Sequence, residues 1–269
     1  MIELVCPRCR HVADGALHVR LLSTGEHGTL ACACGAVYPV VDGIPVVLAD
    51  LDGWLAGEAV EALRRDDLPP ACEAILAQGT AVARNRELAR VYARSTEGPL
   101  QAWLRDRCGP LAGDVLEIGS GLGVTGRDDG VALDVNLGLL RRHRGQRVCG
   151  DAADPPFLGE RFDAVVLANV LDSCADPALV LAQADALLRP GGRLVVTCAY
   201  AFQDAVTPRA RRFRPEALHA ALAEGAPFFG YVLRHRVVEQ ETRLAWPLRV
   251  SERATHLHEA EAFVTEKSH

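Results

Sequence analysis

The segment Val115-Leu116-Glu117-Ile118-Gly119-Ser120-Gly121-Leu122-Gly123 carries more chemical potential than any other in this 269-residue chain. An apolar run ends in a carboxylate and passes into alternating glycines, where no side chain keeps a ligand away from the backbone. Such a turn at the carboxyl edge of a parallel sheet is where doubly wound folds bind ligands. Taken alone it reads equally as a nucleotide site or as a plain tight turn. Polar residues then recur at the ends of later apolar runs: Asp134, Asp151 with Ala152, and Asn169 just beyond Phe162-Asp163-Ala164-Val165-Val166. A second kind of chemistry sits at the N-terminus, where Cys6-Pro7-Arg8-Cys9 is followed, after 22 intervening residues, by Cys32-Ala33-Cys34. Paired thiols suit a tetrahedral metal, although the second pair has one spacer residue where two are usual. His11 and His27 are substitute ligands if Cys32 or Cys34 turns away, and a lapsed site with free thiols is the alternative.

These residues need elements to hold them. From residue 114 onward, strand-like and helix-like patterns alternate, which signals a parallel sheet covered on both faces. Strands are predicted at 114–118, 131–134, 147–149, 164–168 and 193–198. A helix at 177–188 has Asp176 as N-cap and Pro177 at its first position, and stops at Pro190-Gly191-Gly192. A further helix is expected at 215–222, and strands at 231–241 and 260–265. Residues 1–50 form a small unit of short strands and turns, too small to bury a comfortable core without a staple such as a metal. Residues 51–110 read as a helical connector, with helical spacing at 54–63 and 83–92 and a further piece near 100–107. Residues 111–269 form the main domain.

The ordered series from "VLEIGSGLG" through Asp134, Asp151 and Asn169 to "LLRPGGRLVV" resembles the class I S-adenosylmethionine-dependent methyltransferases over roughly residues 90–200. The resemblance implies an α/β, Rossmann-like, doubly wound seven-stranded sheet. It implies that Glu117 and the backbone of Gly119, Gly121 and Gly123 hold the methionine part of S-adenosylmethionine. Asp134 would accept from the ribose hydroxyls, as a carboxylate can. Asp151 and Ala152 would meet the adenine, and Asn169 would lie under the methionine and sulfonium. A Rossmann dehydrogenase is the competitor, but its third glycine comes one residue later, and 124–130 is a poor helix to face a pyrophosphate. The same short segment departs from the methyltransferase pattern, since ten residues between Gly123 and Asp134 leave no room for a full helix. The N-terminal unit resembles the small zinc-binding methyltransferase-activator family over residues 2–48, ending in "YPVVDGIPVVL". That implies structural zinc held by Cys6, Cys9, Cys32 and Cys34.

Under this resemblance the loops after the fourth and fifth strands line the acceptor pocket and offer Asp172, Ser173 and Cys174, then Tyr200 and Gln203. Asp172 and Tyr200 are the catalytic candidates: Asp172 reads as a base, an orienting group or a turn aspartate. Cys174 reads as a nucleophile or a small buried thiol, and Tyr92 as a lid or a packed aromatic. His219, His235, His256 and His258 share no spacing and no nearby acid, and read as surface residues. The net charge of −6 disfavours a protein that coats nucleic acid. A small-molecule or natural-product acceptor is therefore the first reading. An rRNA or tRNA methyltransferase using the zinc unit and Arg209, Arg211, Arg212 and Arg214 is the second, and a non-catalytic cofactor-binding partner protein the third. No signal peptide or membrane-length apolar run is visible, so a cytoplasmic location is expected.

Overall fold

The computed structural model describes residues 2–13, 16–25, 28–51, 97–202, 204, 206–249 and 253–268. The helices expected at 54–63 and 83–92, together with Tyr92, His27 and Gln203, lie outside the described residues.

The N-terminal unit pairs β1 (His11–Ala13) with β2 (Ala16–His18), and arranges β3 (Ser23–Thr24), β4 (Thr29–Ala31), β5 (Val37–Val41) and β6 (Ile44–Pro45) as a four-stranded antiparallel sheet. Asp42-Gly43 closes the turn between β5 and β6, both with positive φ (52° and 74°), as a tight hairpin of this type demands. After β6 the chain runs onto the main sheet: Val46 bridges Cys149 in parallel, and Val47 N–H donates to the Cys149 carbonyl at 2.8 Å. An edge that would otherwise present unpaired backbone groups is thereby covered.

The main sheet has seven strands: β7 (Val115–Ile118), β8 (Val131–Asp134), β9 (Gln146–Cys149), β10 (Phe162–Ala168), β11 (Leu188–Cys198), β12 (His235–Arg249) and β13 (Thr255–Lys267). Their order is β12-β13-β11-β10-β7-β8-β9, with β13 antiparallel to both neighbours and the other pairings parallel. All of β7 and most of β10 are buried, which is why these strands read as continuous apolar runs rather than alternating ones. One face packs α1 (Pro99–Cys108) through Leu100, Trp103 and Leu104. The other carries α3 (Pro177–Leu187) and α4 (Pro215–Ala223), in a core that also takes in Leu4, Tyr38 and Val47 from the N-terminal unit. The short α2 (Leu137–Leu140) is capped by Asn136, whose side chain accepts from Leu139 N–H at 3.1 Å.

Asp176 caps α3 as expected, accepting from Leu179 N–H at 3.2 Å. Several boundaries differ from the sequence reading, most of all in the last three strands. β11 begins at Leu188 rather than 193, because Leu188 pairs with Phe162 ahead of a register shift. The last two strands are longer than expected: β12 lies at the sheet edge, so Pro247 removes no hydrogen bond that a second neighbour would need. Pairing of β11 with β13 ends at Cys198–Glu261, while β12 and β13 continue to Arg249–Thr255, so this ribbon rises past the carboxyl edge of the sheet. No helix among the described residues is long and apolar enough to cross a membrane.

Candidate active site and metal centre

β7 stops at Ile118 because Gly119 turns with φ 63°, followed by Gly121 at 53° and Gly123 at 87°. The loop is held from below. Ser120 N–H donates to the Leu133 carbonyl at 3.0 Å, and Gly123 N–H to the Ser120 carbonyl at 2.7 Å. Glu117, only 4% exposed, accepts from Val124 N–H at 2.8 Å and from the Thr125 hydroxyl at 2.9 Å. Burial pushes its carboxyl above the usual range, opposed by these donors. Glu117 therefore shapes the glycine loop and is not among the residues that line the cleft above it.

That cleft, about 630 Å³, opens at the carboxyl ends of the parallel strands. It brings together Gly119, Gly121, Gly123, Asp134, Asp151, Ala152 and Asn169, seven of the eight residues expected to hold the cofactor. Asp134 accepts from Gly121 N–H through Oδ2 and from Asn136 N–H through Oδ1, both at 2.8 Å. It thus ties the end of β8 to the glycine loop, and each oxygen keeps a lone pair for a further donor. Burial raises its carboxyl, the two backbone donors opposing. Asp151 accepts from Ala153 N–H at 2.8 Å, shaping the loop beyond β9.

Asn169, the residue after β10, takes a left-handed conformation, φ 53°, which asparagine tolerates better than most residues. The first helix is indeed missing: residues 124–130 form bends and irregular backbone.

The two catalytic candidates are placed outside the lining. Asp172 is 2% exposed and accepts from Ala201 N–H at 3.0 Å, with the Ser173 hydroxyl at 3.3 Å. It staples the loop after β10 to the loop after β11, and burial raises its carboxyl. The Tyr200 hydroxyl donates to Glu261 Oε2 at 2.8 Å, and its ring packs edge-on against Phe213. Cys174 does line the cleft, but burial pushes its thiol up to about 12, which leaves a neutral group rather than a thiolate.

Sequence reading missed several contributors. His143 Nε2 lies 2.9 Å from the Gly121 carbonyl, and its ring sits where a methyl on Gly123 would stand. Gln101 and Leu104 of α1 and Trp246 of the β12–β13 ribbon also line the cleft. No local pattern marks these residues, since the fold alone joins them to the loop. His235 requires a correction. Its side chain is fully enclosed, with Nδ1 2.8 Å from Thr265 Oγ1 and Nε2 2.8 Å from Asp185 Oδ1. Its acid lies 50 residues away on α3, out of reach of any spacing argument.

In the N-terminal unit the sulfurs of Cys6, Cys9, Cys32 and Cys34 all lie within 4.8 Å of one another. Cys6 and Cys34 sulfurs are 3.8 Å apart, Cys9 and Cys32 3.6 Å, and the Tyr38 hydroxyl stands 3.2 Å from Cys6 Sγ. The single-residue spacer closes the set because Gly35, at φ 88°, turns the chain so that Cys32 N–H and the Ala36 carbonyl pair at 2.9 Å. His11 instead directs Nδ1 to the Cys9 carbonyl at 2.8 Å. The unit is clamped to the loop that follows Asp151. Arg10 pairs with Asp154 and donates to the Pro155 carbonyl at 2.7 Å, and Val5 N–H donates to the Pro156 carbonyl at 3.0 Å.

The methyltransferase domain family matches residues 116–196. Together with the sheet order and the glycine-loop cleft, this match defines residues 116–196 as the central part of a class I S-adenosylmethionine-dependent methyltransferase fold. The demethylmenaquinone methyltransferase of Renibacterium salmoninarum is 33% identical over 114 residues, 37% of this chain and 48% of that protein. That of Mycobacterium sp. (strain KMS) is 34% identical over 146 residues, 49% of this chain and 60% of that protein. This chain thus spans about half the length of the curated relatives it matches. Among solved structures, the Burkholderia thailandensis 1,6-didemethyltoxoflavin-N1-methyltransferase, with 1,6-didemethyltoxoflavin and S-adenosylhomocysteine bound, is similar at TM-score 0.47 and 17% identity, covering 92% of this chain and 99% of that one.

Proposed function

We propose that this protein transfers the methyl group of S-adenosylmethionine to a small-molecule acceptor by in-line displacement. The observation that carries the reading is Asp134: at the end of β8 it receives the Gly121 N–H and faces the cleft, where a ribose would lie. Gly119, Gly121 and Gly123 leave backbone free to approach the methionine part, and Asp151 and Ala152 meet the adenine. The cofactor supplies an already activated methyl group. The chain's own residues supply alignment and exclusion of water, for which effective-molarity gains are worth about 7–11 kcal/mol. Asp172 and Tyr200 serve this by fixing the loops around the reacting centre rather than by touching substrate.

A small acceptor is favoured over RNA by the chain's acidity, by the demethylmenaquinone methyltransferases among its relatives, and by the state of its arginine run. Arg211 faces Asp176 at 3.4 Å, and Arg212 pairs with Asp204 at 2.5 Å. Zinc is proposed for the four cysteines: thiolates about 2.3 Å from a tetrahedral ion stand about 3.8 Å apart, close to the sulfur spacings above. Four thiolates close the coordination shell, which gives the ion a structural role. The proposed organisation is a metal-binding unit at 1–50 and a methyltransferase domain at 111–269, joined through residues 51–110.

Incubation with methyl-labelled S-adenosylmethionine and, in parallel, hydroxylated naphthalenes and total rRNA tests the reading. Label in the aromatic product supports it. Label in RNA alone overturns the acceptor class.

A further inference from the structure

Asn169 is 9% exposed and lines the cleft, so the end of its amide that faces inward decides what the cleft can bind there. That end is set by Thr197, a fully buried residue at the adjoining position of β11. Asn169 N–H donates to Thr197 Oγ1 at 3.1 Å and to the Thr197 carbonyl at 3.0 Å. The hydroxyl, receiving a proton from the backbone, sends its own to Asn169 Oδ1, also at 3.1 Å. Turning the amide over would leave that buried hydroxyl proton without an acceptor and set the amide nitrogen against it. The left-handed backbone at Asn169 adds a second constraint, holding the side chain at one angle to the strand end. With Oδ1 committed to Thr197, Nδ2 is the end left toward the cleft, and among the described residues no protein group accepts from it.

We infer that Thr197 is a positioning residue that locks Asn169 as a hydrogen-bond donor, so that the cleft receives its methyl acceptor through an oxygen lone pair. The inference rests on the proposed methyltransferase reading and deepens it. A donor at this position is met better by a phenolate- or enolate-type oxygen, which has lone pairs to spare, than by an amine, whose single lone pair is committed to the incoming methyl. The surrounding wall, formed by Leu100, Leu104, Val170, Val206 and Trp246, suits the flat apolar skeleton to which such an oxygen belongs.

The test is calorimetric and needs no turnover. 1-Naphthol and 1-aminonaphthalene are titrated into the full chain, with and without S-adenosylhomocysteine, for the parent protein and for Thr197→Val, Thr197→Ser and Asn169→Asp, with thermal melts run alongside. The naphthol should bind more tightly than the amine. Thr197→Val should lower naphthol affinity about tenfold, the scale of one hydrogen bond to a charged group, both with and without S-adenosylhomocysteine. Thr197→Ser should restore it, and Asn169→Asp should reverse the preference toward the amine. Equal or tighter amine binding by the parent protein would overturn the inference, as would a Thr197→Val loss confined to S-adenosylhomocysteine. Absence of S-adenosylhomocysteine binding alone would refute the methyltransferase reading, and the naphthol series would still report on Asn169.

Discussion

Substituting Gly119 by alanine separates what the glycine loop does for the fold from what it does for a ligand. A methyl at Gly119 would stand 2.5 Å from Val170 Cγ2 and 3.1 Å from Cγ1, with the backbone at φ 63°. A left-handed residue with a Cβ costs about 1–2 kcal/mol, and forcing a methyl into packed surroundings costs about 1–3 kcal/mol. Gly119→Ala should therefore destabilise by roughly 2–5 kcal/mol, or lower the melting temperature by roughly 5–15 °C for a chain of this size. The steric part belongs to Val170 and the dihedral part does not. Adding Val170→Ala should thus make the double variant more stable than the sum of the singles by about 1–3 kcal/mol, measured by urea unfolding. Gly121 provides the contrast, since a methyl there meets nothing within 4 Å although φ is 53°. Gly121→Ala should lose only about 1–2 kcal/mol while obstructing the cleft, seen as a large loss of S-adenosylhomocysteine affinity. Additive costs at Gly119 and Val170, or a Gly121→Ala protein that binds normally, would refute the reasoning.

Three other outcomes follow from the same geometry. Asp172→Ala removes the acceptor for Ala201 N–H and should cost about 1–3 kcal/mol in thermal or urea unfolding, with S-adenosylhomocysteine affinity little changed; a protein that melts normally yet transfers no methyl would instead make Asp172 a base. Arg10→Ala leaves the partly buried Asp154 unpaired and should cost about 1–3 kcal/mol, and chelating the proposed zinc should loosen the same loop, read as faster amide exchange at residues 150–157. Asp134 must be ionised to accept from two hydroxyls, and burial raises its pKa, so affinity is full above that pKa and falls as pH drops through it. The fall should begin at higher pH than an ordinary aspartate would give, and be absent in Asp134→Asn; identical pH profiles for the two proteins would remove Asp134 from the site.

The order of elements was legible because each strand of the parallel sheet is a short apolar run with a polar residue at its carboxyl end. Asp134, Asp151 and Asn169 could be placed on one edge from that pattern alone, and Asp176 with Pro177 announced α3. What could not be read was which side chains touch across the chain. Glu117 looks like a ligand-facing acid in sequence, but its partners at Val124 and Thr125 turn it beneath the loop. Asp172 precedes the lining residue Ser173 and Tyr200 follows β11, yet both side chains are drawn to partners distant in sequence, Asp172 to Ala201 N–H and Tyr200 to Glu261. His235 finds Asp185, and Trp246 reaches the cleft, only through the pairing of β12 with β13 at the sheet edge. The single spacer between Cys32 and Cys34 raised the prospect of a lapsed site, whereas the positive φ at Gly35 lets both sulfurs join the set.

The central claim is tested most directly by titrating the zinc-loaded protein with S-adenosylmethionine and S-adenosylhomocysteine in a calorimeter, beside Asp134→Ala. The account predicts micromolar binding of both by the parent protein, and its loss in a variant that remains folded. A folded, zinc-loaded parent protein that binds neither, or an Asp134→Ala protein that binds as tightly as the parent, would contradict it.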